Sequence, residues 1–540
     1  MTKQHARVFA QTLKDTGIRY IFGIPSGNWV DYMEAIRETE GIEFVLVSNE
    51  ASGGFMADAC WRLTGQMAAC FGTFGPGACN LSTGVCCGLL DRSPMLVFTD
   101  EMSDQMLHRT TQMNIDHQAL FAPLTKWTTR LAGDRIEDTL QKASAIARSE
   151  VPGPVHIGLP AGELPFSKSR EKRAAQAAIP GMPEPDPALL KKMADIFAGA
   201  ERPLLAVGLS AVRAKVKSLV EKITERYHVP VVMTPMAKGM LAEDHPSYAG
   251  VLAHALADRV GKTHQQADLI VGIGYDPIEI NYEDWMPAVP LLHIDTTSAD
   301  IDQENFTLAC DVVGNISSSL KRLLSIDTPP KKWDLAALAE RRQAMFERLA
   351  PPAQGFDPRT VLGDLRTALP PDGIITCDVG AHLHLIGQQW RTPDPELQLM
   401  TNGCSSMGYG IPAAIGAKLA MPEREVCCVV GDGGFLMMAG EMATAKRLGK
   451  RIVFVLITDK TLSLIRIKQN RKDYETYGTP LHGEAYASSA GFFGVPVVPV
   501  DNRNAYQAAL KQAFAADGPT IIETFIRSSD YDDLVLRGNK

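Results

Sequence analysis

Short apolar runs alternate along the chain with segments whose apolar residues recur at helical spacing, the pattern of an α/β protein built on parallel sheets. IRYIFGIP, FVLVSN, MAACFGTFGP and PMLVFTD each precede a helical segment, and PVHIGLP closes this first group. A charged, proline-rich stretch over 166–188 buries little and predicts a linker. PLLAVG, VPVVMTP, LIVGIG and PLLHID form a second group ending near SSSLKRLL. DTPPKKW then leads through a long charged helix into a third group, with strands expected at GIITCDVG, REVCCVVGDG, RIVFVLITD and PTIIETF. The expectation is three doubly wound parallel-sheet domains spanning 1–165, 189–325 and 356–540. The first and third resemble each other in outline, without a residue-level repeat.

Composition narrows this reading. A chain of 540 residues exceeds one core, and 45% hydrophobic with 21% charged residues is ordinary for a globular protein. A formal charge of −8 with no Lys/Arg block argues against nucleic acid as partner. The ten cysteines show no metal-finger spacing and read as small buried hydrophobes in a reducing cytosol. MTKQHARVFAQTLKDTG reads as an amphipathic helix, and no uninterrupted apolar run approaches about 18 residues, so a soluble cytoplasmic protein without a membrane partner is expected.

GDGGFLMMAG places Asp432 between Gly431 and Gly433 where an apolar strand ends and a helix begins. Helix N-termini at strand ends of parallel sheets bind phosphates, and the glycines let the oxygens approach the backbone. A carboxylate would repel a phosphate unless a cation lay between them, which points to Mg²⁺ or Ca²⁺. Asp459, one helix and one strand further on, is the second oxygen ligand this arrangement needs. The alternative is that Asp432 caps its helix and Asp459 opens a turn.

GDGGFLMMAGEMATAKRLGKRIVFVLITDKT resembles the thiamine diphosphate signature, a Gly-Asp-Gly followed just under thirty residues later by Asn or Asp. The resemblance implies that Asp432, Asp459 and the Thr461 carbonyl hold the metal on the cofactor diphosphate. Gly431, Gly433, Gly434, Leu462 and Ser463 would complete the cofactor contacts. Relatives carry Asn-Asn or Asn-Asp where Thr458 and Asp459 stand here, an extra negative charge that favours cation retention.

The other half of such a site is a glutamate against the pyrimidine ring. NEASGGFMADACW resembles the pyrimidine domain of the pyruvate oxidase and acetolactate synthase group and makes Glu50 the match. By itself Glu50 could be an acid favoured by a helix dipole. Asn49 stands where relatives often have His. GPGACN carries Gly75 and Asn80 of the Gly-Pro-Gly-x-x-Asn loop, and GIPSGN supplies Pro25, Ser26, Gly27 and Asn28 on the substrate side. CDVGAHLHLIG puts Gly380, Ala381 and His382 on the diphosphate. NGCSSMGYGIPAAIGA makes Met407 the wedge that bends the cofactor, with the Ser405 carbonyl orienting its amino nitrogen. Because glutamate and metal lie on different domains, the resemblance implies a homodimer at least, with a homotetramer as the fuller assembly.

The implied chemistry is decarboxylation of a 2-oxo acid. YDPIEINYEDW, PLTKW and SSDYDDLVL resemble acetolactate synthases and favour acyl transfer to a second carbonyl. The tryptophan of the biosynthetic enzymes aligns with Lys468 and their glycine after the metal loop with Ser463. Leu464 and Ile465 align with an apolar pair over the thiazolium, and Gln112 and His117 are pocket candidates. Arg466 and Lys468 either attract an acidic substrate group or are solvated helix residues. Other outcomes are a nonoxidative decarboxylase or 2-hydroxyketone lyase of the benzoylformate decarboxylase or benzaldehyde lyase type, and an inactive cofactor-binding regulatory subunit. Substrates would be small 2-oxo acids or aldehydes. PLLAVGLSAVRA keeps only a faint glycine pattern, so FAD is not expected.

Overall fold

The computed structural model describes residues 2–165, 181–481, 486 and 491–535. The linker expected over 166–188 lies partly outside the described residues; its last residues meet the helix Pro187–Gly199, whose N-terminus the Asp186 side chain caps.

The apolar runs become three six-stranded sheets in which every strand pairing is parallel. The first holds β1 (Tyr20–Gly23), β2 (Glu43–Leu46), β3 (Ala68–Gly72), β4 (Met95–Glu101), β5 (Trp127–Arg130) and β6 (Val155–Pro160), in the order β2-β1-β3-β4-β6-β5. The second holds β7 (Pro203–Val207), β8 (Val231–Met233), β9 (Tyr248–Val251), β10 (Leu269–Ile273), β11 (Leu291–Asp295) and β12 (Leu308–Val313), in the order β12-β11-β10-β7-β8-β9. The third holds β13 (Ile374–Cys377), β14 (Gln398–Leu399), β15 (Val426–Gly431), β16 (Val453–Thr458), β17 (Val497–Val500) and β18 (Thr520–Phe525), in the order β14-β13-β15-β16-β18-β17. Counted within each unit, the first and third orders are identical, while the second is different. The outline likeness of the outer units is therefore a shared topology.

The central strands are buried along their length, apart from half-buried Gly431 at the end of β15, because helices cover both faces, which is why they read as continuous apolar runs. One hydrophobic core runs from the first unit into the third, with the helix Glu50–Thr64 packed on the helix Gly410–Ala420. Where these helices meet, the Asp58 carboxylate accepts hydroxyl hydrogen bonds from Tyr409 at 2.6 Å and Ser93 at 2.5 Å, so its burial is offset by donors. A second core joins the middle and third units. Among the described residues, no helix is long and apolar enough to cross a membrane.

Candidate active site

The C-terminal ends of β13, β15 and β16 lie side by side, since Cys377 pairs with Val429 and Gly431 with Ile457. In such a strand order β13 and β15 form the topological switch point, where open parallel sheets bind ligands. Loops leaving these strands enclose a cavity of about 220 Å³. Gly380, Ala381 and His382 line it from β13, Ser405 and Met407 from the loop after β14, and Gly431, Asp432, Gly433 and Gly434 from β15. Asp459, Thr461, Leu462, Ser463, Leu464 and Ile465 come from the loop and helix after β16. The structure thus gathers residues far apart in sequence, and adds Val379, Ile457 and Tyr531.

Asp432 is the first residue of the helix Asp432–Met438, and Gly431 rather than an acid occupies the cap position. One Asp432 oxygen accepts the Gly433 N–H at 2.9 Å; the other crosses to the Lys460 N–H at 2.8 Å. Asp459 does open a turn, accepting the Thr461 N–H at 3.1 Å, and its second oxygen accepts the Ser463 hydroxyl at 2.5 Å. Burial, and then the Asp459 charge, push the Asp432 carboxyl up to about 6; burial also pushes Asp459 up. Arg466, the basic residue whose field reaches Asp459, is ion-paired with Asp532 and donates to the Ser528 carbonyl. Lys468 is exposed.

The buried Asp432 and half-buried Asp459 carboxylates, beside the Thr461 backbone, are hard oxygen donors that suit Mg²⁺ and leave further positions to phosphate oxygens or water. Among the described residues no cluster of three His, Cys, Asp or Glu is poised for a metal, so a cation here would need such added ligands. His382 supplies a second test of fit. It is buried, burial pushes its imidazole down to about 4, and its Nε2 has no protein partner, while the Asp378 carbonyl holds the other ring nitrogen. A diphosphate would supply that partner by drawing a proton onto Nε2. A Cβ on Gly433 would come within 2.8 Å of Leu462 and 3.1 Å of Met407, so glycine keeps the cavity wall open there.

Asp378 was not marked out by sequence, although an acid at the end of an apolar strand is the signal that drew attention to Asp432. Its buried carboxylate accepts the N–H of Gly408 at 2.9 Å, Gly410 at 3.2 Å and Val379 at 2.6 Å, and burial pushes it up to about 6. It thereby ties the Ser405–Met407 loop to the end of β13.

The remaining candidates collect at the strand ends of the first sheet. Glu50 is buried as the first residue of its helix; Asn49 caps that helix by accepting the Ala51 N–H, and Asn80 donates to the Glu50 carboxylate at 3.1 Å. Pro25 and Ser26 are half-buried, Gly27 and Asn28 exposed. Ser26 donates at 2.5 Å to Asp100, a buried acid at the end of β4 that sequence reading passed over and that burial pushes up to about 6.

His117 is buried, and its roles follow from its neighbours. The Gly75 N–H donates to Nε2 at 3.2 Å, so the ring proton sits on Nδ1 and goes to Thr99 Oγ1 at 2.9 Å. Thr99 then donates to His156 Nε2 at 2.8 Å, His156 Nδ1 to Thr128 at 2.7 Å, Thr128 to Gln118 Oε1 at 2.8 Å, and Gln118 to Glu101 at 2.5 Å. Burial pushes both imidazoles down, His117 to about 4, in keeping with neutral rings. Gln112 is exposed, and Gln118 rather than Gln112 joins this chain.

Glu50 is not among the residues that line the cavity holding Asp432 and Asp459. The cysteines also depart from expectation: Cys79 is exposed and Cys86 and Cys404 are half-buried, the other seven being buried.

Three family profiles match in order: "Thiamine pyrophosphate enzyme, N-terminal TPP binding domain" over residues 3–120, the "central domain" over 190–323, and the "C-terminal TPP binding domain" over 378–524. Among curated relatives, the acetolactate synthase large subunit of Parasynechococcus marenigrum is 31% identical, covering 97% of this chain and 88% of the relative. An acetolactate synthase of Bacillus subtilis is 28% identical over 97% and 93% of the two chains. A probable 2-ketoarginine decarboxylase of Pseudomonas aeruginosa is also 28% identical, over 96% and 93%.

Proposed function

The chain belongs to the thiamine pyrophosphate enzymes and is a thiamine diphosphate-dependent, acetolactate synthase-like enzyme acting on 2-oxo acids; on that premise we propose that it decarboxylates a 2-oxo acid and, with Mg²⁺, transfers the acyl group to a second carbonyl compound. Support comes above all from the cavity where buried Asp432, half-buried Asp459, an unpartnered His382 nitrogen and glycine backbone converge at the ends of β13, β15 and β16.

Asp432, Asp459 and the Thr461 carbonyl would hold Mg²⁺. Gly380, Ala381, His382, Gly431, Gly433, Gly434, Leu462 and Ser463 would surround the diphosphate. Met407 would bend the cofactor, and the Ser405 carbonyl would orient its amino group. Thiamine diphosphate, when bound, supplies a nucleophilic thiazolium carbon for the 2-oxo acid carbonyl. Glu50 would hold a proton at the pyrimidine N1′, as a general acid–base group positioned by Asn80 and its helix. Pro25 and Gly75, with Asn80, would face the pyrimidine end, and Ser26, Gly27, Asn28, Gln112, His117, Leu464 and Ile465 the substrate side.

Since Glu50 lies outside the cavity of its own chain, the working unit in this reading is a homodimer at least, in a cytoplasmic homotetramer as the fuller form. Leu436 and Met437, 52% and 53% exposed on the helix that begins at Asp432, offer apolar surface for a second copy.

The decarboxylase-like relative favours one other reading, release of an aldehyde without carboligation. A panel of 2-oxo acids assayed for CO₂ with added thiamine diphosphate and Mg²⁺ tests the main reading. Feeding pyruvate with and without an acceptor aldehyde then separates the outcomes: a hydroxyketone or 2-hydroxy-2-methyl-3-oxo acid supports carboligation, and acetaldehyde alone assigns simple decarboxylation. No CO₂ from any 2-oxo acid would overturn both.

A further inference from the structure

Two acids end β4, and only one of them has a cation. Glu101 is ion-paired with Arg130 at 2.6 Å, while Asp100, also buried, has no ion pair among the described residues. The hydrogen bonds of Asp100 are one-sided: Ser26 Oγ donates at 2.5 Å and Thr73 Oγ1 at 3.2 Å, both to Oδ2, and no group among the described residues donates to Oδ1. An ionised carboxylate accepts on both oxygens, and burying one with an oxygen left unmet is costly. The two donors also fix where this happens. Ser26 belongs to the loop after β1 and Thr73 to the turn after β3. A Cβ added to Gly77 would lie 2.8 Å from Thr73 Cγ2 and 3.2 Å from Glu50 Oε1, so Thr73, which holds Asp100, and Glu50 flank the same glycine.

We propose that Asp100 is a specificity-determining residue whose open Oδ1 receives a hydrogen-bond donor, a hydroxyl or an ammonium, carried by the 2-oxo acid on the arm beyond its keto carbon. Ser26 and Thr73 lock the carboxylate so that this oxygen stays the free one. The inference rests on the substrate side of the proposed reaction lying at Ser26 and Glu50, and it adds the class of acid. A donor on the substrate offsets a charge that no described residue neutralises. A methyl in its place leaves that charge unmet, and a second carboxylate is repelled by it. A site built to pair with a substrate hydroxyl rejects the isostere that lacks it, because the buried polar group is then left unpaired.

CO₂ release by the full-length protein with thiamine diphosphate and Mg²⁺ is measured at pH 8, above the value of about 6 to which burial pushes this carboxyl, so that it is ionised. Two pairs differ only by hydroxyl for methyl: 3-hydroxypyruvate against 2-oxobutyrate, and 4-hydroxy-2-oxobutyrate against 2-oxopentanoate. 4-Amino-2-oxobutyrate tests the ammonium and 2-oxoglutarate the carboxylate. At least one hydroxy or amino acid is expected to exceed its methyl isostere in kcat/KM by about 10- to 100-fold, the range of a hydrogen bond to a charged group. Asp100→Asn loses that preference, since Ser26 and Thr73 occupy the amide oxygen and leave its N–H groups to face the substrate's donor; Ser26→Thr, which keeps the hydroxyl, retains it. The ratio within a pair is the readout, because general damage to the site lowers both members alike. Calorimetric titration of cofactor-loaded Glu50→Gln with the same pairs reads the preference as a ratio of Kd, without turnover. CO₂ release with no preference for a donor in the wild type, a preference that survives Asp100→Asn, or 2-oxoglutarate as the best substrate overturns the proposal and leaves the reaction standing. No CO₂ from any 2-oxo acid overturns both.

Discussion

The buried Glu441 carboxylate, in the third unit, accepts the backbone N–H of Asn49 at 3.0 Å, one residue ahead of Glu50 in the first. The same oxygen takes the Ser48 N–H at 2.9 Å, and the Ser48 hydroxyl donates to the Gly440 carbonyl at 2.9 Å. The start of the Glu50 helix is thus held from outside its own sheet. Glu441→Ala strands two backbone donors, at a cost of about 1–3 kcal/mol. We expect a lower Tm and a lower kcat with little change in KM, and recovery of most of both in Glu441→Gln, which keeps the accepting oxygen. Thermal unfolding together with steady-state kinetics reads this.

Glu50→Gln keeps the shape of the side chain and removes its proton exchange. Turnover should fall by about 10²- to 10⁴-fold, the range of general acid–base catalysis, while thiamine diphosphate still binds by calorimetry. Unchanged turnover would remove Glu50 from the chemistry.

Asp432→Asn replaces the buried member of the Asp432–Asp459 pair with a neutral amide. Affinity for thiamine diphosphate in the presence of Mg²⁺ should drop by at least about 10- to 100-fold, the range seen even for the outer partners of metal ligands. Chelating the metal should likewise abolish the rise in Tm that the cofactor brings to the wild type. A cofactor-induced rise that survives chelation would show that binding does not depend on a cation.

Asp100 gives a pH test away from the proposed metal. Burial raises its carboxyl from the ordinary 3.8 to about 6, so the folded state holds the proton more tightly than the unfolded chain. Stability from this group is present below about 4 and is lost as pH rises towards 6. Asp100→Asn does not titrate, so its stability relative to the wild type should rise over that window, by at most about 3 kcal/mol. Urea unfolding of both proteins at pH 4, 5, 6 and 7 measures the difference.

Thr99 joins His117 to His156, and through His117 it fixes the Gly75 N–H. Thr99→Val leaves His117 Nδ1 and His156 Nε2 without their shared partner and should cost about 1–3 kcal/mol. Amide exchange in residues 74–80 should quicken, and exchange at the distant 431–434 turn should not.

Much of this architecture can be read from one sequence because a strand covered on both faces is written as an unbroken apolar run. β3, β4, β15 and β16 announce themselves in this way. β5, β12 and β17 do not: they are edge strands with half-exposed positions, so their apolar signal is diluted, and β14 has only two residues. β9 is buried but reads YAGV, whose alanine and glycine give little apolar signal.

Local spacing likewise determined the strand-end acids Asp432 and Asp459 and the glycine turns beside them, since those features need only a strand end, a turn and a helix start. Asp378, Asp100 and Glu441 escaped notice because each acts on backbone or hydroxyl groups that only folding brings near. Tertiary structure alone decided that β13 and β15 become neighbours and form a cavity, and that Glu50 stays outside it. Parallel strands pair across long intervening segments, so their order depends on how helices cover both faces of the sheet, and no short window of sequence carries that information.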